Sequence, residues 1–146
     1  MKADTSIPKG DGTIAIAGVS RKQRGFGWTL FDDMRKRGFP VVPVNPGTEE
    51  IDGQRCYARA SDIEPTPALL VVVVPRQAAV EVVRDAVGAG VPRVWMQPGS
   101  DSDAAAAVAR EAGAEIVTGQ CMFLHLEPVR GIHAVHRFIA RLFGKV

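Results

Sequence analysis

The residues of this chain most able to do chemistry follow a short apolar run: Gly18, Ser20, Arg21, Lys22, Arg24, Gly25 and Gly27. A glycine directly after a strand lets the backbone come close to a ligand. A serine beside it offers a hydroxyl and an N–H. Three cations within four residues attract an anion, and the helix-like pattern that follows points the positive end of its dipole at the same place. Strand, loop and helix in this order are the grammar of a nucleotide site, with backbone N–H groups facing phosphate. The plainer reading is a strand-to-helix turn followed by a solvated basic loop.

Several familiar chemistries lack their residues. The dinucleotide fingerprint needs G-x-G-x-x-G directly after the strand. Here Gly18 stands alone, and Gly25 and Gly27 come only after the basic loop. The second strand ends in Asn45-Pro46 rather than in the acid that grips a nicotinamide cofactor's ribose. The P-loop pattern is missing too. His133 and His136 lie three apart but have no acidic or cysteine partner nearby in sequence, so no metal site is expected. No nucleophile–base or acid–base pair falls among the loop residues, so no catalytic group is assigned.

The elements that must position these residues alternate strictly. Thr13–Ala17 reads as a first strand, apolar on both faces. Trp28–Arg37 reads as a helix with Leu30, Phe31 and Met34 inward and Gly38 past its end. Arg35, Lys36 and Arg37 suit the negative end of that helix. Val41–Val44 is a second strand, and Glu49–Ile63 is expected to hold short pieces. Ala68–Val74, with four consecutive valines, reads as a central strand ended by Pro75. Gln77–Val87 follows as a helix with Val80, Val83 and Val87 inward. Arg93–Met96 is a fourth strand. Ser100 or Asp101 is expected to cap an alanine-rich helix over Asp103–Glu111. Ala114–Val117 is a fifth strand, and a last helix is expected over Val129–Phe143.

Alternation of this kind predicts right-handed crossovers and an α/β fold: a doubly wound, five-stranded parallel sheet of Rossmann-like type. Ligands of such sheets lie outside the carboxyl ends of the strands. Gly18-Val19-Ser20, Asn45-Pro46, Val74-Pro75-Arg76, Gln97-Pro98-Gly99 and Thr118–Cys121 therefore share one rim. Plainer roles exist for two of them: Asn45-Pro46 as a turn, and Gln97 as a partner for backbone at a strand end.

Composition bounds the rest. The 146 residues suit one compact domain, with 1–12 as a loose lead-in and 13–146 as the domain. A net charge of +2 is too small to argue for nucleic acid. The longest apolar run, Ala68–Val74, is far too short to span a bilayer. Two distant cysteines, Cys56 and Cys121, make no disulfide framework. Together with a polar amino terminus, they lead to an expected cytoplasmic location.

Four segments then resemble a known family: Gly18-Val19-Ser20, Phe26-Gly27, Val42-Pro43-Val44-Asn45-Pro46 and Val94-Trp95-Met96-Gln97. They look like the small single-domain CoA-binding proteins, whose fold is similar to the CoA-binding domain of the succinyl-CoA synthetase α subunit. The likeness runs from about Gly12 to Lys145, and Cys121 and the stretch Phe123–Val129 support it. Val74-Pro75-Arg76, with one basic residue where relatives carry two, and Pro98 depart from the pattern. The resemblance implies coenzyme A as the cofactor. Gly18 would let the backbone come close and Ser20 would offer a hydroxyl and an N–H to the pyrophosphate, with Val19 between them in the binding loop, and Arg21, Lys22 and Arg24 would meet the 3′-phosphate. Asn45 and Pro46 would border the ribose and adenine, and Val74 and Pro75 would wall the adenine. Gln97, Pro98 and Gly99 would line the path of the pantetheine arm, and contacts at Arg76 stay open. Cys121 on the rim suggests a mixed disulfide with the CoA thiol under oxidation, the oxidant taking up the two electrons released.

The function expected is binding of CoA or an acyl-CoA without catalysis. The competing expectation is an NAD(P)-dependent oxidoreductase or an accessory subunit of an acyl-CoA ligase. Partners beyond the small molecule are a second copy of the chain or an acyl-CoA-using enzyme.

Overall fold

The computed structural model describes residues 4–10 and 12–126. Five strands form one parallel sheet: β1 (Ile14–Ala17), β2 (Val41–Val44), β5 (Leu69–Val72), β6 (Arg93–Met96) and β7 (Glu115–Val117). Their spatial order is β2-β1-β5-β6-β7. The chain leaves β1 in one direction and returns to its other side, so strand order reverses between β1 and β5. That is the switch point at which such sheets bind ligands.

Alternation along the strands sorts two cores. Ile14 and Ile16 of β1, with Leu69, Val71 and Trp95, pack against helix α1 (Phe26–Lys36) and against Met122, Phe123 and Leu126. Ala15 and Ala17, with Leu70, Val72, Val94 and Met96, pack against α2 (Arg76–Gly88) and α3 (Asp103–Glu111). Helices on both faces make the sheet doubly wound, and β1 and β5 are fully buried as a central pair.

The segment expected to be irregular forms a two-stranded antiparallel hairpin, β3 (Glu50–Ile51) with β4 (Gln54–Arg55), and a single 3-10 turn at Ala60–Asp62. It shields the outer edge of β2. Gln54 donates its side-chain amide to Val41 O (2.6 Å), and Tyr57 exchanges backbone bonds with Pro43 and Asn45. Residues before β1 touch the body as well: Ile7 packs on the first core, and Arg93 donates to the Asp4 carbonyl.

Three expectations need correction. The buried face of α2 is Ala79, Val83 and Ala86, while Val80 and Val87 are only half-buried. The two alanines are buried in one cluster with Leu70 and Val72 of β5, while larger valines stay half-buried, so apolar size alone misjudged the phase. The cap of α3 is neither Ser100 nor Asp101 but Ser102, whose Oγ accepts the Ala105 N–H (3.2 Å). The central strand is shorter than Ala68–Val74, because Val73 makes its last ladder bond to Ala17 O and Pro75 has no N–H to continue. The helix expected over Val129–Phe143, His133 and His136 lie outside the described residues.

Candidate functional site

All five strands run the same way, so their carboxyl ends deliver their turns to one edge. Two cavities open there. A cleft of about 760 Å³ lies across the ends of β2, β1 and β5, lined by Gly18, Val19 and Ser20, by Asn45 and Pro46, and by Val74. A narrower groove of about 310 Å³ lies between the ends of β5 and β6, lined by Val73, Val74 and Pro75, by Pro98, Gly99 and Ser100, and by Phe26. Val74 belongs to both and forms the ridge between them.

The floor of the cleft is built by close backbone approach. Gly18 has φ +108°, and a Cβ there would stand 2.5 Å from Val73 O. A Cβ on Gly27 would stand 2.2 Å from Gly18 O. These two glycines let β1, β5 and the start of α1 come together, the packing that third-glycine positions serve in dinucleotide folds. Helix α1 begins at Phe26, two residues before the expected Trp28. Its cap residue Gly25 supplies no side chain, and no acid stands in its first turn. Thr29 N–H makes the first intrahelical bond to Gly25 O (3.0 Å), so the amides before it point out of the helix end. Helix α2 likewise starts from Pro75 with no side-chain cap and no acid in its first turn.

Between Ser20 and Gly25 the loop is tightly turned. Ser20 Oγ accepts the Lys22 N–H (3.1 Å), Ser20 O accepts the Gln23 N–H (3.1 Å), and Gln23 takes φ +54°. Arg21, Lys22 and Arg24 stand exposed on it and line neither cavity. Among the described residues no ion pair engages them, in contrast to Arg35, Lys36, Arg37, Arg59, Arg76, Arg84 and Arg93, each within reach of a carboxylate.

Asn45 acts on the architecture itself. Its side-chain amide donates to Val19 O (2.9 Å) and its Oδ1 accepts the Gly47 N–H (2.7 Å), which locks the β2 turn to the β1 loop. Val19 turns its side chain into the core. Gln97 is buried and lines neither cavity. Its Oε1 accepts the Met122 N–H (2.7 Å) and its Nε2 reaches Cys121 Sγ (3.6 Å), holding the chain after β7 against the sheet end. Cys121 is itself buried and outside both linings. Burial pushes the Cys56 thiol up, despite its contact with Asn45 O. Arg76 also lines neither cavity. Its Nε donates to Asp101 O (2.6 Å) across the mouth of the groove.

Sequence reasoning missed the far wall of the cleft. Ala58, Arg59 and Ala60 close it from the segment after β4, and Glu81, Val82, Arg84 and Asp85 from α2. Asp85 accepts from both the backbone and the hydroxyl of Ser61, which joins those two walls. A usable signal was the helical spacing of 81, 82 and 85, which puts them on neighbouring positions of one face. Phe26 and Ser100, lining the groove, were also missed. Among the described residues, no cluster of three or more His, Cys, Asp or Glu could hold a metal, and no helix is long and apolar enough to cross a membrane.

Comparison with known proteins bears on this geometry. Residues 12–127 match the family model described as CoA binding domain. A conserved hypothetical protein from Pyrococcus furiosus is 32% identical with a TM-score of 0.74, covering 79% of this chain and 99% of that one. An ADP-forming acetate–CoA ligase of Methanocaldococcus jannaschii is 33% identical over 70 residues. That match takes in 48% of this chain but only 10% of the ligase. The dinucleotide-forming acetyl-coenzyme A synthetase 1 of Ca. Korarchaeum cryptofilum shares the fold, with a TM-score of 0.66 over 74% of this chain and 26% of its own.

Proposed function

Because the chain belongs to the CoA binding domain family, we propose that its sheet edge binds coenzyme A or an acyl-CoA, and does no chemistry on it. The observation that carries this reading is the pair of cavities joined at Val74. One is a wide cleft with Val44, Val74 and Val82 in its walls, suited to adenine. The other is a narrow groove suited to an extended arm. The β1 loop and the start of α1 lie where the two would meet a pyrophosphate.

In this placement Gly18 and Ser20 approach the pyrophosphate through the backbone, and the uncapped, acid-free start of α1 supplies a favourable field. Arg21, Lys22 and Arg24, without carboxylate partners among the described residues, are the cations available to the 3′-phosphate. Asn45 contributes by fixing the loop, and Pro46 and Val74 contribute apolar surface. The pantetheine arm follows Val74, Pro75, Pro98 and Gly99. The groove lining is otherwise Phe26, Val73 and Ser100, and the Ser100 hydroxyl is donated to Val74 O (2.5 Å). A thioester there meets apolar walls rather than an acid, a base or an activated nucleophile.

An acyl-CoA-using enzyme is the protein partner this reading favours, supported by the similarity to a segment of an acetate–CoA ligase. Thermal-shift titration tests the core of the proposal. CoA is expected to raise the melting temperature, with NAD(H) and NADP(H) inert. Stabilisation by a nicotinamide cofactor and not by CoA would overturn it.

A further inference from the structure

Resting on the placement of the pantetheine arm in the groove beside Val74, we propose that Arg76 and Asp101 form a clasp that sets the width of this groove, acting as positioning residues for the arm. The groove has two banks, Val73–Pro75 and Pro98–Ser100. Arg76 adjoins the first and Asp101 the second. Arg76 Nε donates to Asp101 O (2.6 Å), and Arg76 Nη2 reaches Asp101 Oδ1 (3.4 Å). The same Oδ1 accepts the Gly99 N–H (3.1 Å), so Asp101 shapes its own bank through its carboxylate and holds the opposite one chiefly through its main-chain carbonyl. A second cross-link, from Ser100 Oγ to Val74 O, lies deeper and is buried. The clasp is the outer and looser of the two, with its side chains 63% and 48% exposed.

The place of Arg76 in the helix gives an independent reason to look for such a role. It is the first residue of α2, where the dipole disfavours a cation, and no acid in that turn offsets it. Helix stability therefore does not account for the arginine, whereas a carboxylate reaching across from the neighbouring turn does.

The rival role is direct contact of Arg76 with a ligand phosphate, and calorimetry separates the two. CoA and adenosine 3′,5′-bisphosphate, which lacks the arm, are titrated into the wild type, Arg76→Gln, Asp101→Asn and the double variant. Arg76→Gln, which removes both bonds across the groove, is expected to weaken CoA about three- to fivefold, the range an exposed ion pair supports, and Asp101→Asn, which keeps the main-chain acceptor, by less. The bisphosphate should bind all four proteins alike, and the double variant should be no worse than Arg76→Gln. Both side chains are exposed, so melting temperatures lowered by no more than a few degrees are the folding control. Unchanged CoA affinity in Arg76→Gln overturns the clasp, as does an Arg76→Gln loss equal for both ligands. A wild type that takes up the bisphosphate but gains nothing from the arm also overturns it. A wild type that binds neither ligand instead removes the CoA reading itself, and the clasp with it.

Discussion

Two turns on the same sheet edge make opposite use of similar parts. Residues 18–25 join β1 to α1, with Gly27 in the first turn of the helix, and residues 97–102 join β6 to α3. Each leaves a buried strand and enters a helix with its positive end toward the rim. In the second turn nearly every polar side chain has an internal partner. Gln97 holds Met122, Ser100 holds Val74 O, Asp101 holds Gly99 and Arg76, and Ser102 caps the helix with Asp103 in its first turn. In the first turn Ser20 bonds only its own loop, the helix has neither side-chain cap nor acid, and three cations have no ion-pair partner among the described residues. A helix end that satisfies itself has nothing left for an anion; one that does not is stabilised when an anion arrives.

The largest effect expected from breaking this contrast is at its glycines. Gly27→Ala drives a methyl to within 2.2 Å of backbone at Gly18 and should cost about 3 kcal/mol or more of stability. Gly99→Ala in the second turn meets open space and suffers only its φ of +95°, about 1–2 kcal/mol. Urea unfolding of both variants checks the order. Equal losses would mean that the first turn is not held by close approach.

Next in size is the effect on ligand. Ser20→Ala with Arg24→Ala should weaken CoA by about 1.5–3 kcal/mol if a charge-assisted contact is lost, roughly ten- to a hundredfold. The loss should shrink at high salt. Calorimetry showing unchanged affinity would detach the basic loop from the phosphates. In the second turn, Ser102→Ala should remove a cap, costing about 1 kcal/mol of stability while leaving CoA affinity as it was. Melting and titration of one preparation read both.

What the sequence made legible follows the same division. Strand and helix alternation, the rim residues and the glycine-tight first turn could be read because local patterning determines them. The far wall of the cleft could not, because Ala58–Ala60 reaches it through a long connection and a single parallel bridge between Val44 and Tyr57. Gln97 and Asn45 were legible as rim residues, yet their side chains bond backbone far along the chain, a choice that only tertiary packing makes. The alanine face of α2 was misread because its packing on β5, rather than side-chain hydrophobicity, sets which residues are buried.

The smallest effect concerns acid. The Gly99 N–H, opposed by slight burial and helped by Arg76, holds the Asp101 carboxyl below its ordinary value. A carboxylate depressed in the folded state contributes stability that is complete above its unfolded pKa, about 3.9, and is lost as pH falls through the lower folded value. Asp32 on α1, held down chiefly by Lys36, obeys the same sign. The first turn has no carboxylate between Gly18 and Gly27. Acid should therefore loosen the second turn while the first keeps its shape, at a cost below about 1 kcal/mol for so exposed a pair. Amide resonances followed by NMR resolve it. Gly99 N–H should titrate with a midpoint below the ordinary aspartate value, and Gln23 N–H, bonded to Ser20 O, should not move with it. A Gly99 midpoint at or above that value would show that the carboxylate does not hold its turn, and the contrast between the two turns would lose its electrostatic half.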